Sequence, residues 1–476
     1  MLSTIVVNEI MDHMKSLRLV LTFVLLIVLM ALSATLYIPD YNRQVEDFSR
    51  NRSETMSKFS DLATQQAGLF FVYSFNFQGP WVYRNPNHLS FISEGHSRDL
   101  PNAFQPSAFR IYGPSKRIRS NILLWKSEEL DWALIIGLVM SFMAIVLVYD
   151  RISGDRENGT LRLLLSNSVS RSTVIFGKFL SGFICLSTAL LLGIIIHLII
   201  LTAFGNVPLA PGDWGVAGMT FVLSLIYISV FLMAGLFISS VTRESATSLV
   251  VALLFWALVV IVIPRTGGLI ASRITEIPTW GDAQEQARQG ERDTRNDYDA
   301  QYPSLAKAGM SGHWSPGEPL ERAILMSDAW NDVIDDYRNQ MMRQVELARA
   351  VTLVSPYACF TGCLEKLAES GIEQYRRFFE QVRDYKSSMR QSLLDAYPLP
   401  VTWHRWDANL QTEKNMALYK QLLDPLDSES VPVFQEKRTD TVRLVNAAMP
   451  QILLLVLFNA LFFAGAFMGF IRYDVR

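Results

Sequence analysis

Apolar runs of membrane-spanning length alternate with polar stretches of very unequal size along this chain. Residues 19–38 carry no charge. Their length matches the ~20 residues that a helix needs to cross a bilayer at about 1.5 Å per residue. Pro39 and Asp40 are expected to end this run. Further runs cover 132–149, 174–204, 216–241, 246–264 and 447–471, the last interrupted by Pro450 and Asn459. The pattern predicts six transmembrane helices. Ala31-Leu32-Ser33-Ala34 reads like a small-residue cleavage site. The run is longer than a signal core, however, and the residues before it are amphipathic rather than simply basic, so a retained span is expected.

The polar stretches have their own patterns. In residues 1–18, Val6, Ile10, Met14 and Leu17 fall near one helical face and Asn8, Glu9, Asp12 and Lys15 on the other. Such a segment either lies in the membrane interface or extends the first span as a helix. Segment 39–131 opens with a polar helical stretch, Tyr41–Gln66. Alternation over Phe71–Phe77 then predicts a strand, and Gly79-Pro80 a turn. Segment 265–446 is mostly helical in character over 282–300, 318–350 and 371–397. Tyr375, Phe378, Phe379 and Val382 recur at helical spacing and predict a packed face. Pro398–Trp406 reads as a loop. The expected fold is an all-α polytopic membrane protein with a mostly helical extracytoplasmic domain built from the two long segments.

Charge supplies the orientation. Lys15, Arg18, Arg151, Arg156, Arg162, Arg171, Lys178, Arg243, Arg472 and Arg476 all fall on one side of a six-span scheme, whereas 205–215 has no Lys or Arg. Basic residues near span ends mark the cytoplasmic side, so both termini, including the tail 472–476, are expected there. Half of the residues are hydrophobic and the net charge is −2, which argues against a nucleic-acid partner. Of the three cysteines, Cys185 lies in an apolar run. Cys359 and Cys363 sit one helical turn apart, poor geometry for a disulfide, so a structural role is expected.

Catalytic constellations are missing from the sequence. Gly177-Lys178 is followed by Phe179 and lacks the earlier glycine of a phosphate-binding loop, so this chain is not expected to bind ATP through one. No H-E-x-x-H, paired C-x-x-C or G-x-S-x-G occurs. No catalytic residue, metal ligand or cofactor of the chain's own is expected. His197, inside the third run, suits either a proton or substrate ligand or a hydrogen bond to a neighbouring helix. His313-Trp314 and Trp403-His404-Arg405-Trp406 could touch a metal or glycan, although tryptophans in such loops more often pack or meet lipid headgroups.

One short stretch, residues 149–178, is cytoplasmic in this scheme. Glu157, Asn158 and Gly159 lead into Leu161, Leu163, Leu164 and Leu165, the apolar face of a short helix beside Arg162. A helix held between two spans either passes force from a soluble partner or is a solvated connector, and physics alone leaves both open. The pattern Asp155, Arg156, Glu157, Gly159, Thr160, Leu161, Leu164, Ser170, Arg171, Gly177 and Lys178 resembles the loop after the second span of ABC-2 type exporter permeases. That resemblance implies a coupling helix over 150–173 that docks on an ATPase subunit. Asp155, Arg156, Glu157, Gly159, Thr160, Leu161, Leu164 and Arg171 would carry the contact. Leu161 and Leu164 would fill a groove on the partner, and Glu157 would meet a basic residue there. Thr160 would cap the helix, and Gly159 would let the backbone bend.

A second likeness lies further on. Ser355-Pro356, Leu364 to Gly371, Tyr375, Phe378 or Phe379, Gln381, Val382 and Tyr385 resemble a signature of the DUF3526 group of ABC-2 permeases. That group commonly shows Ala-Gly-Thr-Asp where this chain has Ala368-Glu369-Ser370-Gly371. Some of its relatives accompany nitrous-oxide reductase maturation or gliding machinery. The resemblance implies a six-span subunit of ABC-2 exporter type in a bacterial inner membrane. Its implied partners are an ATPase dimer that binds the ATP, a second permease as heterodimer or homodimer, lipid, and a periplasmic protein. Three functions follow: export or translocation of a substrate the likeness does not name; mechanotransmission to a periplasmic partner; or a membrane-anchored scaffold or receptor, against which the coupling stretch argues. With this orientation, single cysteines near Asn167 and Asp474 label only from the cytoplasm, and those near Asn87 and Asp407 only from outside. Outside labelling near Asn167 would overturn the topology.

Overall fold

The computed structural model describes residues 2–65, 79–95, 97, 100–113, 130–161, 170–205, 207–303, 320–396 and 432–471. The predicted strand Phe71–Phe77 and the motifs at His313-Trp314 and Trp403–Trp406 lie outside them. Six helices are long and apolar enough to cross a membrane. They alternate in direction, so one end of the bundle carries the loop after the second span and the other carries the two long polar segments.

The chain opens with α1 (Leu2–Lys15), which stops at Ser16. Ser16 then starts α2 (Leu17–Gln65), its Oγ accepting from Arg18 N at 3.2 Å. The first helix is therefore separate from the first span, not an extension of it. Pro39 and Asp40 end the apolar run, and the helix continues through them into the polar stretch. The polar continuation carries side-chain pairs three and four residues apart: Gln44 with Asp40 at 2.8 Å, Arg50 with Asp47 at 2.5 Å, and Lys58 with Glu54 at 3.3 Å. Tyr37 and Tyr41 stack across Pro39, their centroids 5.6 Å apart.

The second span, α3, joins Trp132–Leu134, a π-helical turn Ile135–Met140 and Ser141–Val148. After the short α4 (Ser153–Glu157) come α5 (Arg171–Phe204) and α6 (Pro211–Val241). The fifth span, α7, runs past its expected end at Pro264. Ser245–Trp256 leads into a π-helical turn, Ala257–Val262, and on to Ile263–Ile274. The π-turn shifts the hydrogen-bond register just ahead of Pro264, which has no N–H to donate. Several polar groups at membrane depth find partners in neighbouring spans, since hydrocarbon offers none. Asn459 accepts from Ser229 Oγ at 2.6 Å and donates to Ile226 O at 3.0 Å. Tyr227 OH donates to Gly137 O at 2.6 Å, and Trp256 Nε1 to Ser141 Oγ at 2.9 Å. Nδ1 of buried His197 lies 3.0 Å from Met30 O, and its ring packs 5.2 Å from both Phe91 and Trp132. This geometry matches the helix-to-helix hydrogen bond, one of the two readings left open for that residue.

The two long segments fold together at the far end. Strands β1 (Val82–Tyr83), β2 (Ala103–Pro106) and β3 (Ile111–Tyr112) form an antiparallel sheet in that order, with Val82 opposite Phe104 and Pro106 opposite Ile111. Helices α8 (Trp280–Gln301), α9 (Leu320–Thr352), α10 (Pro356–Leu367) and α11 (Gly371–Ala396) come from the second segment, which leads into the last span, α12 (Thr441–Ile471). Tyr375, Phe378, Phe379 and Val382 form the buried face of α11 and meet Phe104, 5.3 Å from the Phe379 ring and 5.9 Å from the Phe378 ring. Burying these large rings supplies apolar area that neither segment buries alone. Helix α10 instead sits on the spans. Phe360 stacks on Tyr227 with centroids 4.3 Å apart and an interplanar angle of 15°. Cys359 and Cys363 are free and fully buried there, and burial pushes their thiols up to about 11 and about 12. They act as small core residues.

Lys386 on α11 is the misfit of this domain. Burial, reinforced by nearby Arg390, lowers its pKa to about 8. Below that pH the folded domain carries the cost of a poorly solvated ammonium; above the usual lysine value of about 10.4 neither state is charged. Lys386→Met should therefore raise the thermal midpoint by several degrees at pH 7, and the gain should fade between about pH 8 and 10. Thermal unfolding followed by tryptophan fluorescence across that range checks it.

Candidate functional site

The loop end is built around the turn that leaves α3. Tyr149–Ile152 bring the chain to α4, whose first amides are capped from another span. Ser239 Oγ accepts from Ile152 N at 3.1 Å and Ser153 N at 3.0 Å. The short helix expected to start beyond Gly159 is thus preceded by a helix already formed. Gly159 then takes φ +74°, the left-handed conformation that glycine adopts without strain, and the chain reverses. Residues 162–169, which include Arg162, Leu163, Leu164 and Leu165, lie outside the described residues. Ser170 resumes the chain and caps α5, accepting from Thr173 N at 3.2 Å.

The predicted site residues turn inward to helix ends. A helix leaves its last carbonyls and first amides without partners, so a charged side chain placed there is held by both hydrogen bonds and the helix dipole. Arg156 donates to Thr242 O at 2.7 Å and Ser240 O at 3.0 Å, closing the end of α6. Glu157 Oε2 accepts from Ser245 N at 3.2 Å and Ser245 Oγ at 2.9 Å, closing the start of α7. Arg171 donates to Phe470 O at 3.0 Å and to Ile471 O, at the end of α12. Thr160 Oγ1 donates back to Asp155 at 3.0 Å, and the amides it was expected to cap lie outside the described residues. Leu161, expected in a partner's groove, is 0% exposed and packs in this chain's own core. Glu157 bonds to Ser245 yet stays exposed. Burial in a short loop depends on which helix ends surround it, and that is not visible in local periodicity.

A buried ion cluster joins this loop to α1. Lys178 Nζ, on a side chain 3% exposed, lies 2.5 Å from Glu9 Oε1 and 2.6 Å from Asp155 Oδ2. Arg151 Nη1 lies 3.1 Å from the other oxygen of Glu9, and Arg151 Nη2 donates to His13 Nδ1 at 2.7 Å. Arginine cannot accept, so Nδ1 must, and the proton of the neutral ring sits on Nε2, 3.5 Å from Ser181 Oγ. Burial, then Arg151, Lys178 and Arg18, lowers the His13 pKa to about 3. The ring is neutral throughout the physiological range. Arg18 completes the set, bonded to Asp150 at 2.7 Å and Tyr149 OH at 2.9 Å. Glu9, His13, Asp150 and Ser239 were not among the predicted site residues. The sequence hint was the polar face of the first helix, where Glu9 had been placed, and Lys178 at the end of the matched pattern.

Among the described residues no group of three or more His, Cys, Asp or Glu is placed to hold a metal ion. What the geometry supplies is stiffness, because α4 is fastened to α1, α5, α6 and α7, and Arg171 adds the end of α12.

Six spans, a stiffened loop at one end and a helical domain at the other define a polytopic membrane subunit of the permease type. Residues 3–364 match the family model described as ABC-2 family transporter protein, and the chain belongs to that family. The match ends before Tyr375–Tyr385, so the narrower DUF3526 likeness remains a resemblance. The chain is also similar to two proteins named probable ABC transporter permease protein NosY. That of Stutzerimonas stutzeri is 32% identical over 125 residues, 26% of this chain and 45% of the relative. That of Pseudomonas aeruginosa is 42% identical over 55 residues, 12% of this chain and 20% of the relative. The chain thus spans less than half the length of each.

The ion cluster makes a quantitative prediction. Glu9→Ala leaves Arg151 without a carboxylate and Lys178 with Asp155 alone, and should cost about 3–5 kcal/mol. Lys178→Met should cost less, because Glu9 keeps Arg151. The double variant should be more stable than the sum of the two losses implies, by about 1–3 kcal/mol, since both changes remove the same Glu9–Lys178 pair and its loss is counted twice in the sum. Stability of the four purified proteins checks this, and strictly additive losses would refute the cluster.

Proposed function

We propose that this chain is the membrane subunit of a bacterial ABC complex, seated in the inner membrane with both termini and the α4 loop in the cytoplasm. A separate ATPase dimer binds and hydrolyses ATP and presses on the loop around α4. A second permease chain, different or identical, completes the membrane part. The single observation that carries this reading is the fastening of α4. Arg156, Glu157 and Lys178 bind it to the ends of α6 and α7 and to α5 and α1, so a push on the loop moves four elements together. The surface left for a partner is the exposed edge at Glu157, Asn158 and Thr160, with residues 162–169 following. Leu161 does not belong to it.

One observation favours mechanotransmission as the form this function takes. Helix α2 runs unbroken from the membrane through Pro39 to Gln65, so the first span and the outer domain share one rigid rod. A moving bundle then moves the domain, and work is delivered to an extracytoplasmic partner. Export or translocation through the spans is the other form; the substrate is left unnamed.

Asn158 is exposed and makes no side-chain bond that folding needs, so it reports on docking. The purified chain should not hydrolyse ATP, whereas the complex co-expressed with its ATPase should. Asn158→Trp should lower ATPase capture and hydrolysis severalfold at unchanged membrane levels. Full capture and full activity would overturn the coupling assignment.

A further inference from the structure

One backbone position in the outer domain is strained. Glu369 has φ +48° and is the one non-glycine residue with positive φ among the described residues. It follows α10, in the turn where a helix that ends on a left-handed residue ordinarily uses glycine. Its amide bonds to Lys366 O at 3.2 Å, and Ser370 N bonds to Glu365 O at 2.9 Å. Glycine would make the same turn without strain, so the glutamate is kept for its side chain.

That side chain reaches the irregular strap, residues 432–440, that feeds the last span. Glu369 Oε1 accepts from Thr439 N at 3.1 Å and lies 3.5 Å from Arg377 Nη2. Arg377 Nη1 donates to Thr439 Oγ1 at 2.7 Å, so the two residues of the ion pair grip Thr439 from both its amide and its hydroxyl. Thr439 stands two positions before the start of α12. Above it, Gln381 accepts from Lys437 N at 2.7 Å and donates to Lys437 O at 3.1 Å. The same turn is held from the other side, where Asn87 Nδ2 donates to Ala368 O at 2.7 Å and Glu369 O at 3.1 Å. The next residue, His88, bonds Asp213 at the head of α6 at 2.7 Å. These groups line a polar cleft of about 180 Å³, so parting them opens a seam already polar rather than an apolar core.

We propose that Glu369 is a positioning residue that latches the head of the last span to the outer domain, and that its backbone strain is retained for this contact. The consequence for function rests on the mechanical reading above: the latch hands movement of α12 to the domain. Two variants separate strain from latch. Glu369→Gly removes both the strain and the carboxylate. Glu369→Gln keeps the strain and an amide oxygen for Thr439 but loses the charge that pairs with Arg377. Hydrogen exchange at the Thr439 amide reads the latch directly. In the Gly variant it should rise roughly tenfold, the equivalent of about one lost hydrogen bond, while the thermal midpoint stays level or rises. The Gln variant should fall between Gly and wild type in exchange, with no gain in midpoint. Unchanged exchange in the Gly variant would overturn the latch. ATP hydrolysis by the assembled complex, measured on the same variants, tests the reading beneath it. Raised exchange with altered hydrolysis upholds both, and raised exchange with unaltered hydrolysis upholds the latch but overturns the mechanical link.

Discussion

Helix ends need partners, and at the loop end of this protein the partners come from one stretch of chain. The carbonyls that close α6 and α12 and the amides that open α7 are met by Arg156, Arg171 and Glu157. Each of these contacts joins a hydrogen bond to a favourable dipole, so it resists displacement better than an exposed ion pair screened by salt. The spans could still cross a membrane without them. Without them, however, their ends would have no common reference, and the loop would be a tether rather than a bearing.

The ion cluster around Lys178 extends the same principle into the first helix. Lys178 and Arg151 divide the two oxygens of Glu9 between them, and Asp155 takes the remaining side of Lys178. A cluster this buried contributes little net stability, because desolvation offsets attraction, but it admits one geometry. His13 fits because burial keeps it neutral beside three cations. Charge matching therefore decides where α1 lies, while the apolar residues of α1 alone would have tolerated several positions.

At the opposite end, apolar contact does what hydrogen bonds do at the loop. Phe104 brings the sheet onto α11, and Phe360 brings α10 onto Tyr227 of the fourth span. The strap through Thr439 closes the circuit back to α12. This ABC-2 family membrane subunit is thus braced at both ends, with α2 and α12 running between them.

Much of this was legible before any coordinates. Six apolar runs are long enough to span, and hydrocarbon permits few alternatives to a helix, so length and composition were sufficient. The period of Tyr375, Phe378, Phe379 and Val382 likewise named a buried face, because burial in a long helix follows its own repeat. Pro39 and Pro264 close apolar runs but not helices: α2 continues with side-chain pairs beyond its proline, and α7 passes Pro264 after a π-turn. The candidate loop was found as a stretch but not as a site. Glu9 meets partners 142 and 169 positions away, and Arg156 and Arg171 meet carbonyls 84 to 300 positions away. Periodicity reports which face of an element is buried; which distant helix end or ion covers a given side chain is set only when the spans pack, and that packing buried Leu161 and bonded Glu157 to the start of α7.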